Sequence, residues 1–164
     1  MIPKASEKGF TLVEVLATIL ILSFVMVVAA TATIVIMKTS SQNNESNVNL
    51  YQVQNAGNWI SRDALMAQVI DTNKSGVFLN IRWSDWDGNN FSVDYIITGD
   101  HMMMRQLNGG TATLIAEYIV PAGTVCQWEE AQNKLTVTIR ASMSGGGYAE
   151  RTYEICPRPV AIGG

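Results

Sequence analysis

Residues 8–37 read KGFTLVEVLATILILSFVMVVAATATIVIM, the longest apolar run of the chain. From Phe10 onward it contains one ionisable residue, Glu14, and neither proline nor glycine. A helix needs about 20 apolar residues to cross the hydrocarbon core of a bilayer. The sequence therefore predicts a transmembrane helix over residues 10–37, because every backbone group of a helix is satisfied internally in lipid.

The charges beside this apolar stretch predict its orientation. Lys4 and Lys8 precede it, whereas Lys38 alone follows closely. The positive-inside rule places the N-terminus in the cytoplasm and the rest of the chain outside. A removed secretory signal is the alternative, but its apolar core spans only about 7–15 residues.

Glu14 is the one carboxylate inside the predicted span. A charged residue at the centre of a membrane helix costs about 2.5–3.5 kcal/mol on insertion scales, and less near the end, where Glu14 lies. Taken alone, Glu14 could reach back to the lipid headgroups. An intramembrane carboxylate nevertheless suggests a partner of opposite charge.

The segment from Lys8 to Ile21 resembles the prepilin signal of the type IV pilin and type II secretion pseudopilin superfamily. The shared pattern is a basic leader, Gly9, Phe10-Thr-Leu-Val-Glu14 and a long apolar helix. The resemblance implies that a prepilin peptidase cuts between Gly9 and Phe10 and that Phe10 becomes N-methylated. Residues 1–9 would then be a cytoplasmic leader, held there by Lys4 and Lys8.

Cleavage would create an α-amino group on Phe10, which has a reference pKa near 8 and is mostly protonated. The resemblance implies that Glu14 pairs with this ammonium on a neighbouring subunit during assembly. It also implies three partners: the prepilin peptidase, other pilins or pseudopilins in a helical filament, and an inner-membrane assembly platform. The expected location is the cytoplasmic membrane as a single-pass protein, and later an extracytoplasmic filament.

Residues 38–75 are expected to continue the helix and connect it to the head. The segment 39–58 is rich in asparagine, a weak helix former, so a frayed stretch is expected near Asn43–Asn49. Helix is still predicted to about Gln68, because small and apolar residues recur every three to four positions. This stripe comprises Val53, Ala56, Ile60, Ala64 and Ala67.

Beyond residue 75 the apolar period changes to two, which predicts strands in a head over residues 76–164. Alternation is clear around Val77–Ser84, Phe91–Thr98 and Leu135–Arg140, and two further strands are predicted over Thr111–Val120 and Tyr148–Ile155. A strand is also expected at Met102–Met104. Turn sequences separate the strands at Asp87–Asn90, Gly99–Asp100, Asn108–Gly110 and Gly145–Gly147. The predicted fold class is α+β: a long N-terminal helix packed on an antiparallel sheet.

Asp85 and Asp87 lie in a sequence that resembles a calcium loop, Asp-Trp-Asp-Gly-Asn-Asn. An EF-hand loop needs glycine at its sixth position and a later glutamate, and neither is in place. A hairpin turn is therefore favoured, with calcium as the weaker alternative. No catalytic constellation is visible, so the chain is not expected to be an enzyme and no other cofactor is predicted.

The remaining composition limits the partners. Eleven Lys and Arg residues face fourteen Asp and Glu residues and are scattered, so no nucleic-acid partner is expected. The two cysteines, Cys126 and Cys156, could form a disulfide in an oxidising compartment, with two reduced buried thiols as the alternative. A C-terminal disulfide is common in pilins, which favours the bridge.

Three assignments compete for the head. The chain resembles a minor type II secretion pseudopilin of the J type in Trp59–Gln68, Met103–Arg105 and Leu135–Ile139. In the first of these segments, Arg62 and Asp63 are interpreted as a solvated pair. A minor type IV pilin of a motility or DNA-uptake fibre shares the same N-terminus. A tip adhesin or DNA receptor, with function in Asn108–Gly110 or Ser144–Gly147, is the third.

Overall fold

The structure, a computed structural model, describes residues 11–143 and 147–158. The chain divides into two compact units, residues 1–43 and residues 44–164. One helix, α1, runs from Leu12 to Met66 and contributes to both. In the first unit its side chains are exposed, whereas in the second unit one of its faces is buried.

Within the part of the chain that the structure describes, eight strands form two antiparallel sheets. They are β1 Val69–Asp71, β2 Leu79–Ser84, β3 Asn90–Ile97, β4 Met103–Leu107, β5 Ala112–Ala116, β6 Val125–Glu129, β7 Lys134–Ala141 and β8 Ala149–Ile155. The first sheet has the order β1-β2-β3-β4-β5, so each strand pairs with the next along the chain, and the second sheet has the order β6-β7-β8. Short 3-10 helices at Pro121–Gly123 and Glu130–Gln132 flank β6.

The core of the head joins α1 to both sheets. The predicted helix stripe is confirmed, because all five of its residues are buried: Val53, Ala56, Ile60, Ala64 and Ala67. The alternating strand residues Leu79, Ile81, Val93, Leu135, Val137 and Ile139 are also buried. The predicted α+β fold, a long helix on antiparallel sheet, is thus confirmed.

The helix continues through the segment that was expected to fray. Asn49 lies in α1, is 2% exposed, and donates from Nδ2 to the Gly147 carbonyl oxygen at 3.2 Å. Tertiary contact therefore overrides the weak helix propensity of the asparagine-rich stretch. The helix ends at Met66, two residues before the expected end.

Gly57 marks the closest approach between α1 and the second sheet. A Cβ at this position would lie 2.1 Å from Cζ of Tyr153 on β8. The hydroxyl of Tyr153 donates to the carbonyl oxygen of Val53 at 3.2 Å. The missing side chain of Gly57 therefore makes room for the Tyr153 ring, which outweighs the cost of glycine within a helix.

The helix also protects the edge of the first sheet. Asn55 donates from Nδ2 to the Ile115 carbonyl oxygen at 2.6 Å, and the Glu117 backbone N–H donates to Oε1 of Gln52 at 3.0 Å. Residues 115 and 117 lie at and just beyond the end of β5, the last strand of this sheet. Two helix side chains thus satisfy backbone groups that an edge strand would otherwise leave open.

Two strands were not predicted. β1 has only three residues, too few for an alternating pattern, and pairs with Arg82–Asn80 of β2. β6 reads Val-Cys-Gln-Trp-Glu, a sequence without a regular apolar alternation, and it forms a strand because it pairs with β7. The expected turn at Gly145–Gly147 falls mostly outside the described residues.

Candidate functional site

The start of α1 is capped by Thr11. The Glu14 backbone N–H donates to Oγ1 of Thr11 at 3.3 Å and to its carbonyl oxygen at 3.0 Å. Thr11 and Glu14 have the Thr-x-x-Glu spacing of a capping box, in which the N-cap side chain accepts from the backbone of the third helical residue. That spacing is the sequence signal for the cap.

Glu14 lies in the first turn of the helix, where the aligned peptide dipoles favour a negative charge. The hydroxyl of Thr18 donates to the Glu14 carbonyl oxygen. Within residues 11–143 and 147–158, the Glu14 carboxylate has no ion-pair partner within 4.0 Å. Lys4, Lys8, Gly9 and Phe10 lie outside the described residues, so the pairing of Glu14 with Phe10 stays a prediction.

The apolar surface of α1 is continuous over its N-terminal half. Its large side chains are exposed, from 47% for Val15 to 78% for Leu12. By length and composition the helix is able to cross a membrane. Because so much apolar surface is unfavourable in water, this half of α1 requires lipid or other apolar helices around it.

The hydroxyl groups within this apolar surface are satisfied by the helix itself. Ser23 donates to the Leu20 carbonyl oxygen at 2.8 Å, and Thr31 and Thr33 each donate to the carbonyl four residues earlier at 2.9 Å. An unpaired hydroxyl in an apolar medium is costly. These bonds make the stretch compatible with a dry environment.

A buried polar cluster joins α1 to the first sheet in the head. Asp63 is 1% exposed, and its carboxylate accepts from Nε of Arg105 at 2.7 Å and from the Tyr95 hydroxyl at 2.5 Å. Burial, followed by the charge of Asp63, raises the pKa of Tyr95 well above its usual range. The interpretation of Arg62 and Asp63 as a solvated pair was wrong for Asp63, since its partner is distant in sequence.

Trp59 lies beside this cluster. The Arg105 guanidinium carbon lies 5.1 Å from the centre of the Trp59 ring, and that of Arg62 lies 5.8 Å from it. Both distances are within the range of cation–π attraction. Arg62 therefore contacts the aromatic ring and not the neighbouring carboxylate.

The sequence Asp85–Asn90 forms the turn between β2 and β3. The Asp85 carboxylate accepts from the Asn89 backbone N–H at 2.8 Å and from Asn89 Nδ2 at 2.9 Å. The hydrogen bond from the Asn89 side chain is the main cause that lowers the pKa of Asp85. Gly88 adopts a φ of 80°, which this turn requires. The carboxylate thus serves the hairpin turn that the sequence favoured.

Among the described residues, no group of three or more His, Cys, Asp or Glu side chains is placed to hold a metal ion. The weaker calcium alternative at Asp85 and Asp87 therefore gains no support from the arrangement of side chains.

The expected disulfide is not formed, because both Cys126 and Cys156 are free. Cys126 lies on β6 and pairs with Val137 of β7, whereas Cys156 follows the end of β8 on the other side of β7. Two strand spacings put about 10 Å between them, and a disulfide needs Cα atoms within about 7 Å. The alternative of two buried thiols also fails, since Cys156 is exposed.

A comparison with protein families identifies a known motif at the start of the chain. Residues 4–30 match the family model described as the prokaryotic N-terminal methylation motif. The match supports a type IV pilin-like prepilin, a class of structural subunits, and agrees with the pilin-like fold. It implies processing by a prepilin peptidase and assembly with other pilins, and it is consistent with a single-pass anchor in the inner membrane.

Neither the search of curated proteins nor the search of solved structures returned a significant match.

Proposed function

We propose that this chain is a minor structural subunit of a type II secretion pseudopilus. Residues 1–9 form the leader, residues 10–37 span the membrane and later pack in the filament, residues 38–75 continue and connect the helix, and residues 76–164 form a head outside the cytoplasm. The observation that carries the proposal is the methylation motif over residues 4–30, in register with an exposed apolar helix.

Processing has a chemical purpose in this proposal. Cleavage after Gly9 frees an ammonium on Phe10, four residues before Glu14 in the sequence. The Glu14 carboxylate has no ion-pair partner in the described part of its own chain, so it is available to a neighbouring subunit. An opposite charge stabilises a carboxylate strongly in an apolar environment, where solvent cannot screen the pair. Uncut precursor lacks this charge and would assemble poorly.

The J-type assignment is supported by two of the three segments that show the resemblance. Trp59–Gln68 and Met103–Arg105 carry the resemblance, and they meet through the hydrogen bonds between Asp63 and Arg105. A minor type IV pilin in a motility, adhesion or DNA-uptake pilus is the alternative, because the methylation motif is common to both.

Two experiments test the proposal, one for the prepilin assignment and one for the secretion assignment. Mass spectrometry of the mature protein should show N-methyl-Phe10 as its first residue, and any other start would overturn the prepilin assignment. Deletion of the gene should abolish exoprotein secretion and leave twitching and transformation intact. The opposite phenotype would replace the secretion assignment with the pilus alternative.

A further inference from the structure

The tip of the β2–β3 hairpin presents a tryptophan directly to solvent. Trp86 is 94% exposed and lies between two carboxylates, Asp85 and Asp87. Tryptophan is enriched among the residues that anchor protein interfaces, because it buries a large area at a small entropic cost. An indole held this far out of the fold makes no contribution to its core.

The turn that carries Trp86 is held rigidly. The Asp85 backbone N–H donates to the Asn89 carbonyl oxygen at 3.0 Å, and the Asp85 side chain accepts two more bonds from Asn89. One step below, the Ser84 hydroxyl donates to Oδ1 of Asn90 at 2.6 Å. Because the turn is ordered before any contact forms, binding through Trp86 would lose little conformational entropy.

A cleft of about 320 Å³ opens on the sheet at the base of the same hairpin. Its volume is at the lower end of the range for clefts that hold small ligands, about 300–1,000 Å³. Arg82 pairs with Val69 and Ser92, and Ser84 pairs with Asn90, so these side chains share one face of the sheet. The side chains that line the cleft on this face are Val69, Arg82, Ser84, Asn90, Ser92 and Asn108.

Most polar groups of the cleft already have partners. Ser84 bonds to Asn90, and Oδ1 of Asn108 accepts from the Ser92 backbone N–H at 2.7 Å. Arg82 is exposed, and in the described part of the chain its guanidinium has no carboxylate within 4.0 Å. The cleft therefore offers a free positive charge beside an apolar side chain, Val69.

We propose that the β2–β3 hairpin is a contact site for a second copy of this chain, in which Trp86 of each copy enters the Arg82 cleft of the other. The charges are complementary, since Asp87 beside the indole would reach the free guanidinium of Arg82. Both parts belong to one hairpin, so a two-fold axis forms the two contacts together, as an isologous interface requires. The adjacent carboxylates disfavour the alternative occupant, an anionic lipid surface.

This contact is separate from the proposed filament. An isologous contact closes on itself as a dimer, whereas helical filaments need heterologous contacts. The inference would therefore survive a failure of the secretion assignment, and it concerns chains that are not yet assembled.

The test uses the full chain in detergent micelles, as a mixture of two differently tagged copies. A photoreactive phenylalanine analogue replaces Trp86 in one copy, and the same analogue at Tyr51, which is 64% exposed, is the matched control. Position 86 should yield a dimer whose cross-links map to the Arg82 cleft of the other copy. The control chain with the analogue at position 51 can still associate through the apolar helix, but it should give no cross-links in the cleft.

Charge exchange provides a second measurement. Arg82→Asp and Asp87→Arg should each lower the yield of the cleft cross-link by about tenfold, and the double variant should restore it because the pair is rebuilt with reversed signs. Near-ultraviolet circular dichroism checks that each variant is folded. Cross-links to detergent, to another protein or to a different region of the second copy, or no rescue by the double variant, would overturn the proposal.

Discussion

The Asp63 carboxylate on α1 accepts two hydrogen bonds from the Arg105 guanidinium on β4, at 2.7 Å from Nε and 3.1 Å from Nη2. The two residues are 42 positions apart. The pair ties the second half of the helix to the middle of the first sheet, where the Tyr95 hydroxyl supplies a third hydrogen bond. Because the geometry is bidentate, it fixes both the distance and the rotation of the helix on the sheet.

Removal of one member of this pair should be strongly destabilising. Asp63→Ala leaves the Arg105 charge partly buried without its partner, which costs about 3–5 kcal/mol. Arg62→Ala is the matched control, since Arg62 is exposed and contacts the Trp59 ring, and it should cost less than about 1 kcal/mol. Denaturant unfolding measures the free energy of unfolding of both variants, and equal losses of stability would show that the buried pair has no special role.

Gly57→Ala should destabilise the head by about 1–3 kcal/mol, because the new methyl group overlaps the Tyr153 ring. In an unobstructed helix the same change would be stabilising by about 0.5–1 kcal/mol. The double variant Gly57→Ala with Tyr153→Ala should therefore lose less than the sum of the single losses. If thermal unfolding shows that the loss of stability in the double variant equals the sum of the two single losses, the predicted overlap is contradicted.

Asn55→Ala should cost about 1–3 kcal/mol, since it leaves the Ile115 carbonyl at the sheet edge without its donor. Asn58→Ala is a control on the same helix, because Asn58 is exposed. Hydrogen exchange of the backbone amides in β5 gives a second measurement. The Asn55 variant should exchange faster there, and unchanged protection would count against the role of the helix as an edge cap.

The two cysteines should differ in reactivity. Burial raises the pKa of the Cys126 thiol from 9.0 to about 11, whereas Cys156 is exposed. The thiolate is the reactive form, so a thiol reagent near pH 8 should modify Cys156 at least about tenfold faster than Cys126. Mass spectrometry of the labelled protein, with urea-unfolded chain as control, decides between this outcome and equal labelling.

The same pKa shift predicts a loss of stability at high pH. A thiol whose folded pKa is raised stabilises the fold fully below its unfolded pKa of about 9, and this contribution is lost as the pH rises through about 11. Cys126→Ala should reduce the decline in the free energy of unfolding between these values. An identical pH profile for the variant would exclude Cys126 as its source.

Glu14→Ala should leave cleavage after Gly9 largely intact and prevent incorporation into filaments, because the Phe10 ammonium would lose its carboxylate partner. Glu14→Asp is the matched control, as it retains the charge on a shorter side chain and should restore part of the assembly. Processing is followed by mass and assembly by recovery of sheared filaments. Normal assembly of the Glu14→Ala variant would rule out the pairing.

Local sequence patterns were sufficient to predict the apolar helix, the buried stripe of its second half and the buried faces of the strands. In each of these, a local period of three to four residues or of two residues selects the buried face, so the pattern needs no distant partner. Val53 and Ile60 on the helix and Leu135 and Val137 in β7 are examples. The Thr11 cap was also readable, since its signal lies within four residues of sequence.

The contacts between side chains that are distant in sequence depend on the tertiary fold and could not be predicted from local patterns. Asp63 and Arg105 look like ordinary surface charges in sequence, and burial beside Tyr95 makes them a pair. The strand order β6-β7-β8 separates Cys126 from Cys156, although their spacing along the chain allowed a bridge. A local pattern records which face of an element is buried, but the sequence distance between two residues does not record where the sheet places them.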